Sequence, residues 1–309
     1  MSQYLAVSEK HPPAQRDAAK PTDTHPAGKI VIIVTVGSVE RNEEVRISEL
    51  VIAIDSSTTS TKAIVVDAQG QVLADAKVEF PMTTPQLSHY EQDPADWWNS
   101  TKAAVGQAVS QLSATDRGRF RYVCATVQRQ YFALVDDQGK ALRPGILWLD
   151  GRAAKQVQDI GSRRVHELSG FQPDATPSIY KIAWLKQHEP ETLQEAAEVV
   201  GMHEYLTHAM TGRRADSVAT ADSLGLLDSA GLTYAEELLD LAGIERLQLA
   251  ELVPPLTACE TDEISALGTA VMAMPQTRAY RTVEDAAHAM MRLGDRLLRT
   301  CDCTKLTAS

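Results

Sequence analysis

From Val51 onward the apolar residues fall first into short unbroken runs and then into helical spacing. Val51, Ile52, Ala53 and Ile54 form one run, and Ala63, Ile64, Val65 and Val66 a second. Runs of four without a polar interruption predict strands buried on both faces. Gln69-Gly70 predicts a turn, after which Val72, Ala74, Ala76, Val78 and Phe80 alternate with Leu73, Asp75, Lys77 and Glu79. That period of two predicts a strand with one wet face. Asp93 and Pro94 read as the N-cap and first residue of a helix to about Leu112, with Trp97, Thr101, Val105, Ala108 and Leu112 as its inner stripe. Strands are expected at 122–127 and 131–136, the second turned by Asp137-Gln138-Gly139. Helices are expected at 152–168, 178–187, 204–210 and 234–241, with Gly212 and Gly243 at C-terminal caps. A three-stranded meander followed by alternating helix and strand predicts an α/β layered architecture.

The first 28 residues carry Pro12, Pro13, Pro21 and Pro26 with no periodicity, which predicts disorder. Residues 29–36 read as a candidate strand and 40–49 as a charged connector, so 1–48 is expected to be a disordered or irregular leader. The apolar run at 30–36 is too short to cross a bilayer and starts too late for a signal peptide, so a cytoplasmic location is expected. The net charge of -11 argues against nucleic acid or an anionic membrane as the main partner, though not against an anionic ligand at a locally positive site. Cys124, Cys259, Cys301 and Cys303 lack zinc or redox spacing beyond one C-x-C, and reduced thiols are expected.

Three motifs carry candidate chemistry. In Asp55-Ser56-Ser57-Thr58-Thr59-Ser60-Thr61-Lys62 an acidic residue ends a buried strand and six small hydroxylic residues turn into the next. Such a turn aims backbone N–H groups and hydroxyls at phosphate oxygens. Asp55 is placed to hold magnesium, directly or through water, or to touch a reacting hydroxyl. A plain polar loop is the alternative, but a plain hairpin would use Asn-Gly or a similar pair. Gln128-Arg129-Gln130 follows a buried strand, where polar groups point into the cleft of open α/β folds. Arg129 reads either as a donor to several polyol hydroxyls or as a surface residue. Trp148, Asp150 and Arg152 read as a sugar-binding wall, or as a core tryptophan with a surface ion pair. Ser178-Ile179-Tyr180-Lys181 lacks the companion motifs of an S-x-x-K enzyme, and His203 and His208 are five apart and read as structural. Neither a P-loop nor a dinucleotide-binding glycine motif occurs.

In order, these motifs resemble the FGGY family of carbohydrate kinases: D-x-G-T-T-S-x-K, a strand ending near Q-R, then W-x-D-x-R. The segment from Pro177 to Lys186 with Pro190-Glu191 resembles its P-x-x-x-K-x-x-W-x-K…P-E pattern. His203 to Gly212 resembles its Y-L-x-x-x-L-T-G helix, Ala221 to Asp228 its A-S-x-x-G-L-x-D stretch, and Leu252 to Pro255 the end of its first domain. The resemblance implies an actin-like ATPase (ribonuclease H-like) N-terminal domain over 49–256, in an α/β kinase that uses ATP and Mg2+ to phosphorylate a pentulose or polyol hydroxyl. It implies that Asp55, Thr58, Thr59, Ser60 and Lys62 lie near phosphates and magnesium, and that Gln128, Arg129, Gln130, Trp148 and Thr176 lie near the sugar, with Asp150 in the same wall. A small-molecule sugar or polyol is the expected partner, with homodimer formation left open. Ser57 stands where the family usually has glycine, and its β-carbon is expected to alter how closely the backbone approaches a phosphate.

The family's base is an aspartate in a G-x-x-D segment that opens the second domain. After Pro255 no glycine-flanked aspartate occurs, and Asp262 is the nearby candidate. Residues 264–274 and 282–287 resemble instead the family's last helices, with Thr282 and Asp285 as a capping box. The second domain is therefore expected to be largely missing, with 257–309 a remnant and an unmatched tail, through an internal deletion or an altered gene model. A non-catalytic sugar- or phosphate-binding remnant is the alternative function.

Overall fold

The structure is a computed structural model that describes residues 30–35 and 50–253. Its first half contains β1 (Ile30–Thr35), β2 (Leu50–Ser56), β3 (Ser60–Val66), β4 (Val72–Glu79), β5 (Glu91–Gln92), α1 (Pro94–Ser110), α2 (Ala114–Arg117) and β6 (Phe120–Val127). These build a five-stranded sheet of order β1-β6-β2-β3-β4. The hairpins β2–β3 and β3–β4 make the expected meander. The chain then crosses through α1 and lays β6 parallel to β2, which puts the ends of β2 and β6 side by side. β1 pairs antiparallel with β6, Ile30 opposite Val127.

Residues Val51 to Ile54 are at most 6% exposed, as an unbroken apolar strand requires. On β4, Ala74 and Ala76 are buried while Asp75, Lys77 and Glu79 are exposed. Val72 departs from the alternation and is exposed, beside a register shift at Val65/Val66 that re-aims the strand end. The Asp93 carboxylate caps α1 by accepting from the Ala95 N–H. The buried stripe of α1 is Pro94, Trp97, Ser100, Thr101, Ala104 and Ala108, with Val105 only half-buried. Ala104 and Ala108 pack against Ala63, Ala74 and Ala76, so small side chains on both surfaces seat the helix on the sheet.

The second half holds β7 (Ala133–Val135), β8 (Gly145–Ile146), α3 (Ala154–Ile160), α4 (Arg163–Ser169), α5 (Ser178–His188), α6 (Pro190–Glu195), β9 (Glu198–Val200), α7 (Met202–Thr211), β10 (Ala215–Ser217), α8 (Val218–Ala221), β11 (Leu227–Asp228), β12 (Thr233–Tyr234), α9 (Glu236–Ala242) and β13 (Glu251–Val253). Two-stranded pairs β5–β8, β7–β9, β10–β13 and β11–β12 brace it. Its core joins Ile179, Ile182 and Leu185 of α5 to Leu238, Leu239 and Ala242 of α9.

Two helix expectations need correction. The segment 152–168 is two helices, broken at Gly161-Ser162. Gly161 lies so close to the Val157 carbonyl that a β-carbon there would stand 2.3 Å from its oxygen, and Ser162 caps α4 by accepting from the Val165 N–H. Tyr234 belongs to β12, and the helix after it starts at Glu236. Gly212 and Gly243 end their helices in the left-handed conformation, as expected. Asp262, the Thr282–Asp285 box and Cys259, Cys301 and Cys303 lie outside the described residues. Cys124 is free and buried, and burial raises its thiol well above the usual range. Among the described residues no helix is long and apolar enough to cross a membrane.

Candidate functional site

The β2–β3 turn divides its hydroxyl run by partner. Ser56 Oγ and Thr61 Oγ1 lie 3.0 Å apart, and Thr61 Oγ1 lies 2.8 Å from Ser100 Oγ on α1, so this pair anchors the hairpin to the helix. Ser57 closes the turn: its N–H and its hydroxyl both donate to the Ser60 carbonyl at 2.9 Å, and its Oγ lies 3.2 Å from Ser60 Oγ. Among the described residues the positive-φ positions other than glycine are Ser88, Gln130 and Leu232, so the backbone at Ser57 does not demand the glycine of the family pattern. Thr59 and Lys62 are the exposed members, at the rim. Asp55, half-buried at the end of β2, stands opposite Lys62 on β3 and Thr126 on β6.

Thr58 joins the hairpin to β6. Its hydroxyl donates to Gln128 Oε1, and the same oxygen accepts from the Tyr131 hydroxyl at 2.8 Å. The Gln128 N–H donates to the Ser56 carbonyl at 2.9 Å, continuing the β2–β6 ladder one step past the strand. Gln92 holds the turn from the other side. Its Nε2 donates to the carbonyls of Thr58 at 2.6 Å and Pro81 at 3.2 Å, while its Oε1 accepts from the Trp97 indole at 3.1 Å. Burial pushes the Tyr131 hydroxyl far up, so it stays protonated and remains a donor. Gln130 adopts φ 61, a left-handed conformation that costs about 1 kcal/mol in a residue with a β-carbon, at the bend just beyond β6. Arg129 reaches the other way and pairs through Nη2 with Asp222 Oδ2, 93 residues on.

The wall around Trp148 is a closed charge network. Asp150 is fully buried. It accepts from the Tyr90 N–H at 2.7 Å, from the Arg152 N–H and Nε at 2.9 Å, and from Arg152 Nη2 at 2.8 Å. Arg152 also reaches Glu91 at 2.7 Å, Arg143 bridges Glu91 and Glu189, and the Arg152 guanidinium lies 5.0 Å from the Trp184 ring centroid. These hydrogen bonds of Asp150 thus all come from Arg152 and the Tyr90 backbone. Trp148 is half-buried, and its indole N–H is buried with no acceptor among the described residues. Thr176 is half-buried, and its carbonyl accepts from Lys181 Nζ at 2.6 Å. Lys181 is fully buried, and desolvation lowers its amine to about 7 against the opposing pull of Asp150 and Asp174.

Among the described residues no three metal-ligating side chains converge, so there is no all-protein metal cage. One carboxylate beside a hydroxylic turn fits magnesium held chiefly by phosphate oxygens and water. The residues that sequence reading missed are Gln92, Tyr131 and Asp222, together with Glu91, Arg143 and Lys181 behind the wall. Two of them had a local signal: Asp222 stands where the A-S-x-x-G-L-x-D pattern has serine, and Lys181 is the first lysine of the P-x-x-x-K pattern.

A parallel β2–β6 core with an antiparallel meander, joined at a hydroxylic turn, defines an α/β domain of the actin-like ATPase (ribonuclease H-like) class. The chain belongs to the FGGY family of carbohydrate kinases, matching the model of its N-terminal domain over residues 50–272. It is 33% identical over 215 residues to a xylulose kinase of Streptomyces rubiginosus, covering 67% of this chain and 43% of that protein. A gluconokinase of Bacillus subtilis is 26% identical over 207 residues, covering 66% and 40%. The crystal structure of xylulose kinase from Rhodospirillum rubrum superposes with a TM-score of 0.61 at 27% identity, covering 72% of this chain and 46% of that one. The chain thus spans less than half the length of each of these three relatives.

Proposed function

We propose that this chain contributes the phosphate hairpin and the sugar wall of an ATP-dependent carbohydrate kinase that phosphorylates a hydroxyl of a pentulose or polyol. The observation that carries the reading is the direct bond from Thr58 to Gln128, which ties the hydroxylic turn to the polar end of β6. A phosphoryl donor and an acceptor hydroxyl have to be held in line and close together, and catalysis of this reaction is mostly positioning and charge stabilisation. Thr59, Lys62 and the turn backbone are assigned to phosphate oxygens, with Thr58 and Ser60 shaping the turn. Gln128, Arg129 and Gln130 are assigned to the polyol, Trp148 to its apolar face, and Thr176 to the rim. Asp55 would hold magnesium, whose chemistry is to neutralise charge developing on the transferred phosphoryl group.

A second reading is a protein that binds sugar or phosphate without turnover, because no glycine-flanked aspartate follows Pro255 to serve as the base. A coupled ADP-release assay over a panel of pentuloses and polyols, with titration calorimetry of the same sugars, separates them. Turnover abolished by Asp55→Ala supports the kinase, and binding without turnover supports the second reading. Turnover untouched by Asp55→Ala would overturn the assignment of the hairpin.

A further inference from the structure

We infer that Asp222 sets the charge preference of the sugar site, making it selective for neutral polyhydroxy ligands over sugar acids. The inference rests on the assignment of Gln128–Gln130 to the substrate in the proposed function.

Arg129 follows Gln128 at the end of β6, directly beside the hairpin. A guanidinium in a sugar site is the usual receptor for a carboxylate, because its forked donors meet both oxygens at once. Here one arm of the fork is already taken, and its charge answered, by a carboxylate of the chain itself, Asp222 Oδ2 on Nη2. The side chains of Arg129 and Asp222 are 15% and 34% exposed, so the pair sits at the surface of the site and is not lost in the core. Its surroundings add further negative charge. Asp216 lies close enough to raise the Asp222 carboxyl further, on top of the larger effect of burial. Asp216 itself takes His203 Nδ1 at 2.6 Å and the Thr220 hydroxyl at 2.6 Å.

The cations of the wall are committed as well. Arg152 is held by Asp150 and Glu91, and Arg143 by Glu91 and Glu189. Lys181 is fully buried on the Thr176 carbonyl. An incoming aldonate would therefore lose hydration from its carboxylate and meet an ion pair of zero net charge backed by a second aspartate. A ketose or alditol loses no such hydration, and its hydroxyls can both donate to Asp222 and accept from Arg129.

The matched probes are D-glucitol and D-gluconate, which share a six-carbon polyol chain and differ in one terminal carboxylate. Calorimetry on the full chain is expected to show D-glucitol or D-xylulose binding at least about tenfold more tightly than D-gluconate. Asp222→Asn and Asp222→Ser, checked for folding by near-UV circular dichroism, should shrink that ratio by about tenfold or more by freeing Arg129. Gluconate binding as well as glucitol to the unaltered chain overturns the inference without any variant. An unchanged ratio in folded variants overturns it too. If no neutral sugar or polyol binds at all, the proposed function falls and takes this inference with it, a result distinct from binding without charge discrimination.

Discussion

Thr59 and Lys62 stand in solvent at the rim of the hairpin, whereas Asp150 and Arg152 are sealed behind Trp184, with every charge answered by another. Both regions come from short polar motifs of similar appearance. What separates them is where the partners come from. The wall recruits Glu91, Arg143 and Glu189 from three other segments and becomes a brace between β5, α3 and the start of α6. The turn recruits Gln92 and Gln128, which fix its backbone and one hydroxyl while leaving Thr59 and Lys62 outward. A polar motif thus reports chemistry only after its internal partners are subtracted.

The contrast is sharpest in stability. Arg152→Ala should cost about 3–5 kcal/mol in urea denaturation, because it strands the buried Asp150 and half of Glu91 without a counter-charge. Gln128→Ala, where the hairpin meets the end of β6, should cost about 1–3 kcal/mol by leaving the buried Tyr131 hydroxyl and Thr58 unpaired, and should weaken sugar binding in calorimetry. The wall should also carry a pH signature. Lys181 titrates at about 7 in the folded chain and at about 10.4 when unfolded, so between those values the unfolded state holds more protons. Stability contributed by this group therefore rises as pH increases from about 7 to about 10, and Lys181→Met should flatten that rise in denaturation midpoints measured across the range. Thr59→Ala should change stability by no more than about 0.5 kcal/mol while weakening ATP binding. A Thr59→Ala penalty comparable to that of Arg152→Ala would erase the distinction between the two regions.

The meander and α1 were legible because each strand runs as an unbroken or largely alternating pattern and Asp93-Pro94 announces the helix. The break at Gly161 was not, since helical spacing continues across it and the obstruction comes from backbone packing around one small residue. The hydroxyl run was visible as a run, but its division was hidden in contacts 39 and 70 residues away, at Ser100 and Gln128. The Arg129–Asp222 pair spans 93 residues and has no periodic signature at all. Short strands such as β9 and β10, three residues each, are too brief for a period to register.

Gln92 carries a last consequence, for how position 92 tolerates substitution. Its amide receives a proton from an indole while giving protons to two carbonyls, and of the common side chains only a primary amide of this length has both faculties at that reach. Glutamate keeps the shape but offers two acceptors to carbonyls that need donors. Methionine keeps the length and offers neither. Among chains of this type, the residue that fills this one position therefore tells whether the loop at Thr58 is still tethered to the tryptophan beneath it.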